Sequence, residues 1–355
     1  METTNVLSIR KIAHSGIDSV DFNDLGFGKY VTDHMFSAEY KFGTWQQPEI
    51  IPFQNLIMAP TALALHYGQT VFEGMKAFRM DDGNISIFRI DKHHQRFNRS
   101  LERLCMPQLS FELFSEGIKQ LVMLDSAWVP KAPGTSLYIR PFMIATEERF
   151  GVKISEEYKF IIFAGPVGVY YTKQLKVKIE DTFIRAAKGG TGYAKCGGNY
   201  GASFYPTQLA NSQGFDQVIW TDGSPELNIE ESGTMNIIFV MDGVVTTPPL
   251  SDSILDGITR DSFLAIALDL GYKIEERKIN VRELIELHSK GKLQEVFGVG
   301  TAAVTAPIKT IHMLGKDYTL PADNPDSFSQ KAKKILTDIR IGARPDKYKW
   351  NTIIC

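Results

Sequence analysis

Strand-like and helix-like segments alternate irregularly along this chain, without the strand–helix beat of a doubly wound sheet. That pattern predicts an α+β architecture, and 355 residues are too many for one ordinary core, so two parts are expected. Strand signals cover 84–89 after the turn at Asp82-Gly83, then 135–145, 159–164, 175–179, 217–220 and 235–241. Asp242-Gly243 predicts a tight hairpin into Val244-Val245-Thr246. Asp91 is the expected N-cap of a helix over 91–104, with Phe97, Leu101 and Leu104 as its apolar stripe. Further helices are expected over 111–124, over 202–212 closed by Gly214, and from Gly257 to a stop at Gly271. Another starts at Asn280 and Glu283, with approximate capping-box spacing, and a last one spans 327–340. The breaker-rich segment Gly165 to Thr172 is the candidate linker.

Within this frame one lysine stands out. Lys195 sits in Gly189-Gly190-Thr191-Gly192-Tyr193-Ala194-Lys195-Cys196-Gly197-Gly198-Asn199-Tyr200. Glycines give up backbone entropy on ordering and are used where the chain turns tightly or approaches something closely. A lysine desolvated in such a place can lose its proton near neutral pH and attack a carbonyl. The other reading is a solvated loop lysine, and the glycines alone leave both open. A phosphate loop would need Gly before the Lys and Ser or Thr after it; Ala194 and Cys196 stand there instead.

Charge narrows the classes. Lys plus Arg is 39 and Asp plus Glu is 41, a net charge of −2, so no strong field attracts nucleic acid or an anionic membrane. Cys105, Cys196 and Cys355 show no metal-ligand spacing and leave an odd one over, which suits a reducing compartment. Residues 1–24 carry charges throughout, unlike a signal peptide, and no stretch has bilayer-spanning length. Cytoplasm is the expected location, with no membrane or nucleic-acid partner and no metal.

A Schiff-base lysine needs a carbonyl partner. If that partner is pyridoxal phosphate, the site must also hold a phosphate, balance a ring nitrogen and meet a phenolic oxygen. The helix start at Gly257-Ile258-Thr259 and the small-residue turn Phe297 to Ala302 are candidates for the phosphate. Arg99 joins Arg96 and Arg103 on one basic helix face, for which plain solvated surface is the favoured reading when it is taken alone. Glu230 and Glu231 are candidates for the ring nitrogen; adjacent side chains point different ways, so only one is expected to serve. Tyr200, in the lysine's own loop, is the candidate for the phenolic oxygen. Tyr138 and Arg140, two apart on a strand, face one side, and an arginine on an apolar face must find an anion or reach water.

Longer motifs then point to a family. They include Phe72-Glu73-Gly74-Met75-Lys76-Ala77, Gly134 to Pro141, Lys195 to Tyr200, Glu231-Ser232-Gly233-Thr234-Met235-Asn236, Thr247-Pro248-Pro249-Leu250 and Glu295 to Ala302. Over nearly its whole length the chain resembles the branched-chain amino acid aminotransferases, fold-type IV pyridoxal phosphate enzymes. The resemblance implies a two-domain α+β fold: a smaller N-terminal α/β domain over 1–167, a linker over 168–174, and a larger C-terminal lysine-bearing domain over 175–355, with the cofactor between them.

The resemblance also implies roles. Lys195 would be the lysine that forms the pyridoxal phosphate aldimine and shuttles the proton. Glu231, rather than Glu230, would meet the ring nitrogen and Tyr200 the phenolic oxygen. Arg99, Ile258, Thr259 and Thr301 would hold the phosphate, with Arg185 and Thr234 nearby. Phe27, Tyr138, Tyr170 and Ala302 would line the substrate pocket, and Arg140 would meet the side-chain carboxylate of glutamate. Tyr67 would reach in from a neighbouring subunit, implying a homodimer. The implied reaction moves an amino group between leucine, isoleucine or valine and 2-oxoglutarate. Mammalian members carry a Cys-x-x-Cys pair after the Gly-Thr-Ala turn; Ala302 to Ala306 here has no cysteine, so thiol control there is not expected. A D-amino-acid or aminochorismate enzyme of the same fold type, and a cofactor-binding protein without turnover, are the rival readings.

Overall fold

In the computed structural model, residues 7–171, 173–322 and 324–354 are described. The readings that touch residues 1–6, Thr172 and Cys355 lie outside them. The chain divides into two compact units: Met1–Tyr170 with Ala194–Gly198 and Ile339–Cys355, and Tyr171–Tyr193 with Asn199–Asp338. Each unit is therefore assembled from separate stretches of chain, in contrast to the two continuous halves meeting near 168–174 that the sequence suggests.

Among the described residues, the first unit is built on a ten-stranded sheet. Its central strands are His34–Lys41, Tyr158–Val167 and Ser136–Ala145, paired antiparallel, and Asn351–Ile354 adds to the far edge beside Ile85–Phe88. Helices Ile90–Arg103 and Phe111–Leu124 bury apolar stripes in this unit's core. Phe114, Ile118, Leu121 and Val122 recur at helical spacing, and Phe114 stacks on Phe160 of the sheet. Ser110 caps this helix, accepting from Leu113 N–H at 3.1 Å.

The second unit holds a nine-stranded sheet. Six strands close on themselves: Ile229–Ser232, Gln217–Thr221, Leu175–Ile179, Val304–Met313, Leu293–Gly300 and Met235–Met241, the last pairing back to the first. Met235–Met241 is buried at every position, which explains the apolar run over Ile237–Met241. Helix Ile258–Asp269 packs on this barrel through Phe263 against Phe297.

In detail the structure departs from the sequence pattern at several places. Residues 165–167 continue strand Tyr158–Val167 rather than belonging to a linker. Pro166 is tolerated there because His34–Lys41, the strand on its other flank, pairs only as far as Ile162. Gly165 is required because a Cβ would stand 2.2 Å from Tyr30 O. The N-cap of Ile90–Arg103 is Arg89, with φ 51°, and Asp91 lies in the first turn. Asn280 caps Val281–Ser289 as expected, but Glu283 pairs with Arg277 at 2.6 Å. Phe297–Gly300 is strand, and only Thr301–Ala303 turn.

Candidate active site

In the first unit, Lys195 lies on an extended stretch fixed along strand Thr70–Phe72. Val71 bridges Cys196, and Phe72 N–H donates to Lys195 O at 3.0 Å. Lys195 N–H donates to Ser100 Oγ at 2.9 Å, and that hydroxyl donates to Arg96 O, so helix Ile90–Arg103 holds the lysine's backbone from the other side. Ala194 and Cys196 are buried on both flanks. A glycine is needed at 197 because a Cβ would meet Thr70 Cγ2 at 2.8 Å. Gly197 and Gly198 open a short helix, Gly197–Ala202, instead of the tight turn expected of them.

The lysine's side chain meets the expected pocket residues at one ring. Lys195 Nζ stands over the Phe72 ring at 4.8 Å, and the Arg140 guanidinium stands over the same ring at 4.9 Å. Arg140 Nη2 donates to Tyr138 Oη at 3.3 Å, while its Nε is buried without a hydrogen-bond partner among the described residues. Phe27 packs edge-on against both Tyr138 and Tyr170, at 5.0 Å each. Gly74 makes room for this wall, since a Cβ there would sit 1.8 Å from Tyr138 Oη. Arg99 is exposed on the helix, next to buried Ser100. Tyr67, exposed, donates its hydroxyl to Phe150 O.

Sequence reasoning missed the buried charged group next to Phe72 in the chain. Glu73 is fully buried; it accepts from Arg96 at 2.8 and 3.0 Å and from His93 Nδ1. Burial alone would raise its carboxyl, but Arg96 and His93 bring it down to about 2. Burial holds His93 below its ordinary value, outweighing the pull of Glu73. Arg96 is thus no part of a solvated basic face. The signal was a single Glu inside the Phe72–Ala77 motif, whose partners lie about twenty residues on.

In the second unit, Glu231 is buried and held at both oxygens. Arg185 Nε stands 3.0 Å from Oε2; Leu255 N–H donates to Oε1 at 2.8 Å and Asn236 Nδ2 at 3.3 Å. Asn236 also donates to Leu255 O at 2.8 Å, so strand and loop are laced together. The loop runs into helix Ile258–Asp269 at its N-cap Gly257, where a Cβ would stand 1.7 Å from Asn236 Oδ1. Ile258 and Thr259 are buried in that first turn, at the positive end of the helix dipole. Thr301 and Ala302 are half-buried in the turn before Val304–Met313, and Thr234 is exposed in the turn after Ile229–Ser232. Tyr200, half-buried, lies on the helix that Thr191 and Asn199 tie down through bonds of 2.7 and 2.8 Å. Residues Lys195, Phe27, Tyr138, Arg140 and Tyr170 are thus gathered in one unit, and Arg185 with Glu231 beside Ile258 and Thr259 in the other.

The first unit thus brings a lysine amine and a guanidinium to one aromatic ring, and the second holds a buried carboxylate on the loop that leads into a helix N-terminus. The amino-transferase class IV family matches residues 70–311, and the chain belongs to that family. Within it the chain is a member of the branched-chain-amino-acid aminotransferases. It is 47% identical over 339 residues to branched-chain-amino-acid aminotransferase 2 of Bacillus subtilis (strain 168), covering 94% of this chain and 93% of that one. The corresponding enzyme of Mycolicibacterium smegmatis is 42% identical, over 92% and 91% of the two chains. Among solved structures, the Thermoproteus uzoniensis branched-chain aminotransferase crystallised with norvaline superposes with a TM-score of 0.75 at 26% identity, over 90% of this chain and 99% of that one. The T.th. branched-chain amino acid aminotransferase complexed with N-(5'-phosphopyridoxyl)-L-glutamate gives 0.71 at 27%, over 89% and 97%. The fold is therefore the fold-type IV α+β architecture, and the activity is that of a pyridoxal phosphate-dependent transaminase. Among the described residues no helix is long and apolar enough to cross a membrane.

Proposed function

We propose that this enzyme moves the amino group reversibly between L-leucine, L-isoleucine or L-valine and 2-oxoglutarate, giving branched-chain 2-oxo acids and L-glutamate, with pyridoxal phosphate carried on Lys195. The observation that supports the reading is the shared Phe72 ring: the Lys195 amine and the Arg140 guanidinium both stand within 5 Å of its centre, at 4.8 and 4.9 Å. Arg140 has no carboxylate partner among the described residues and keeps a buried, unpartnered Nε, so it suits an incoming substrate carboxylate. Phe27, Tyr138 and Tyr170 give the apolar wall a branched aliphatic chain needs.

The residues present fit the cofactor. The test is the donor set: a buried carboxylate with both oxygens fixed, an arginine beside it, and a helix start cleared of side-chain bulk at Gly257. Glu231 would hold the ring nitrogen's proton and Tyr200 meet the phenolic oxygen. Ile258, Thr259, Thr301 and Arg99 would hold the phosphate, with Arg185 and Thr234 beside it. When bound, pyridoxal phosphate supplies an aldehyde and an electron-withdrawing ring. Lys195 Nζ takes the amino acid's α-proton and returns it as a general acid–base. Arg140 with Tyr138 binds the γ-carboxylate of 2-oxoglutarate, and Ala302 lines the pocket. A homodimer is part of this reading: Tyr67 bonds to Phe150 O, and the exposed apolar side chains of Leu65, Phe150 and Val152 are ones a second copy would cover.

Incubation with L-leucine and 2-oxoglutarate should yield glutamate. Lys195→Ala should abolish both turnover and the holoenzyme's visible absorbance while leaving the unfolding midpoint of the apoprotein near the wild-type value. Glutamate formation by that variant would overturn the assignment.

A further inference from the structure

Glu230 is a buried carboxylate that the reading above leaves without a part. It is only 7% exposed, yet it stands next to the residue proposed to meet the ring nitrogen. Two consecutive strand residues normally face opposite sides. Here they do not. Ile219 pairs with Ser232 and Thr221 with Ile229, so the glutamate strand carries one residue more than its neighbour. This is a β-bulge, and bulges re-aim side chains. As a result both glutamates bond to one loop: Glu231 Oε1 accepts Leu255 N–H, and Glu230 Oε1 accepts the hydroxyl of Ser253. Ser253 is itself buried and gripped again, since Arg185 Nη2 donates to Ser253 O and Ser251 Oγ stands 3.0 Å from Ser253 Oγ. Glu230 Oε2 is buried with no hydrogen-bond partner among the described residues. Around the carboxyl, burial and Asp222 push its proton affinity up, against the Ser253 bond, Arg185 and Lys278.

We propose that Glu230 is a positioning residue, which through Ser253 clamps the 251–257 loop so that Leu255 N–H and the Gly257–Thr259 turn stay aligned with Glu231, a role that rests on the cofactor reading above. One loop carries both the Leu255 N–H that orients the carboxylate and the helix start that would meet the phosphate, so loosening it disturbs both ends of the cofactor together. Glu230 touches neither.

The test measures the dissociation constant of pyridoxal phosphate from the wild type and from Glu230→Gln, Glu230→Ala, Ser253→Ala and the double alanine variant. It also records the pH midpoint of the visible absorbance of each. Losing one buried hydrogen bond on a loop should weaken binding about tenfold in each single alanine variant. Both should displace the pH midpoint in the same direction, and the double variant should be no worse than the singles, because they break one clamp. The Gln variant keeps an acceptor for Ser253 and should stay within about twofold of wild type. Wild-type affinity and pH midpoint in either alanine variant, additive losses in the double, or a Gln variant as weak as Ala would overturn the clamp. If Glu230→Ala does not fold, Ser253→Ala and Glu230→Gln decide the matter. A wild type that does not bind pyridoxal phosphate overturns the cofactor reading itself, a result distinct from any of these.

Discussion

Replacing Glu73 by Gln should destabilise the first unit more than removal of any exposed charge. The carboxylate is fully buried and takes three donated hydrogen bonds, two from Arg96 and one from His93. An amide presents its NH2 to one of those donors, and Arg96, itself 4% exposed, is left as a buried cation without its counter-charge. Removing one partner of such a pair costs about 3–5 kcal/mol. Total stabilities run to about 5–15 kcal/mol, so the loss would be plain in a urea titration as a fall in midpoint at unchanged slope. The effect should reach the lysine, because Arg96 O takes the Ser100 hydroxyl and Ser100 takes Lys195 N–H. The same group sets an acid limit. Glu73 falls from 4.5 to about 2 on folding, so its stabilisation is complete above pH 4.5 and fades as pH drops toward 2, about 3 kcal/mol at 1.36 kcal/mol per tenfold. His93, also lowered, begins to cost stability once pH falls below its ordinary 6.5, because the unfolded chain then binds the proton first. Stability of the apoprotein should therefore decline in two stages on acidification. A Glu73→Gln protein with the wild-type urea midpoint at pH 7, and an unchanged acid limb, would refute the reasoning.

Three further outcomes follow from the site. Arg140→Ala should raise KM for 2-oxoglutarate and glutamate by about ten- to a hundredfold, the value of a charge-assisted hydrogen bond, while leucine changes by much less; equal losses in steady-state assays would remove the arginine from its role. Gly74→Ala places a Cβ 1.8 Å from Tyr138 Oη, so it should displace Tyr138 and raise KM for both substrate classes, with a stability cost of about 1–3 kcal/mol by thermal unfolding. Gly257→Ala drives a Cβ to 1.7 Å from Asn236 Oδ1 and should weaken pyridoxal phosphate binding, read by equilibrium dialysis, without changing the relative KM values of leucine and 2-oxoglutarate.

Local features of the fold are legible in the sequence because their causes are local. The helix over 111–124 is found at those residues, since its serine cap and its apolar spacing act within a few turns. The Asp242-Gly243 hairpin likewise forms with positive φ at both residues. Strands such as His34–Lys41 and Val304–Met313 give no comparable signal, because half their register comes from neighbours far along the chain. The division into units is hidden for the same reason. Nothing in Ala194–Gly198 itself says that it will pair with Val71, more than a hundred residues earlier.

The site separates along the same line. Tyr138 and Arg140 share a face because a strand alternates strictly, and a two-residue spacing is enough to see it. Rules of the same kind misplace Arg96 and Glu230, and in each case a long-range feature overrides the local period. Helical spacing with Arg99 and Arg103 puts Arg96 on a basic surface face, but Glu73 draws it into the core. Strand alternation sets Glu230 opposite Glu231, but one extra residue against Trp220 turns both toward the same loop. Charged residues therefore carry the least readable positions. A charge goes wherever its counter-charge is buried, and that partner lies outside any local window. Apolar periodicity reports which side of an element faces inward, while the pairing of buried charges depends on the assembled fold.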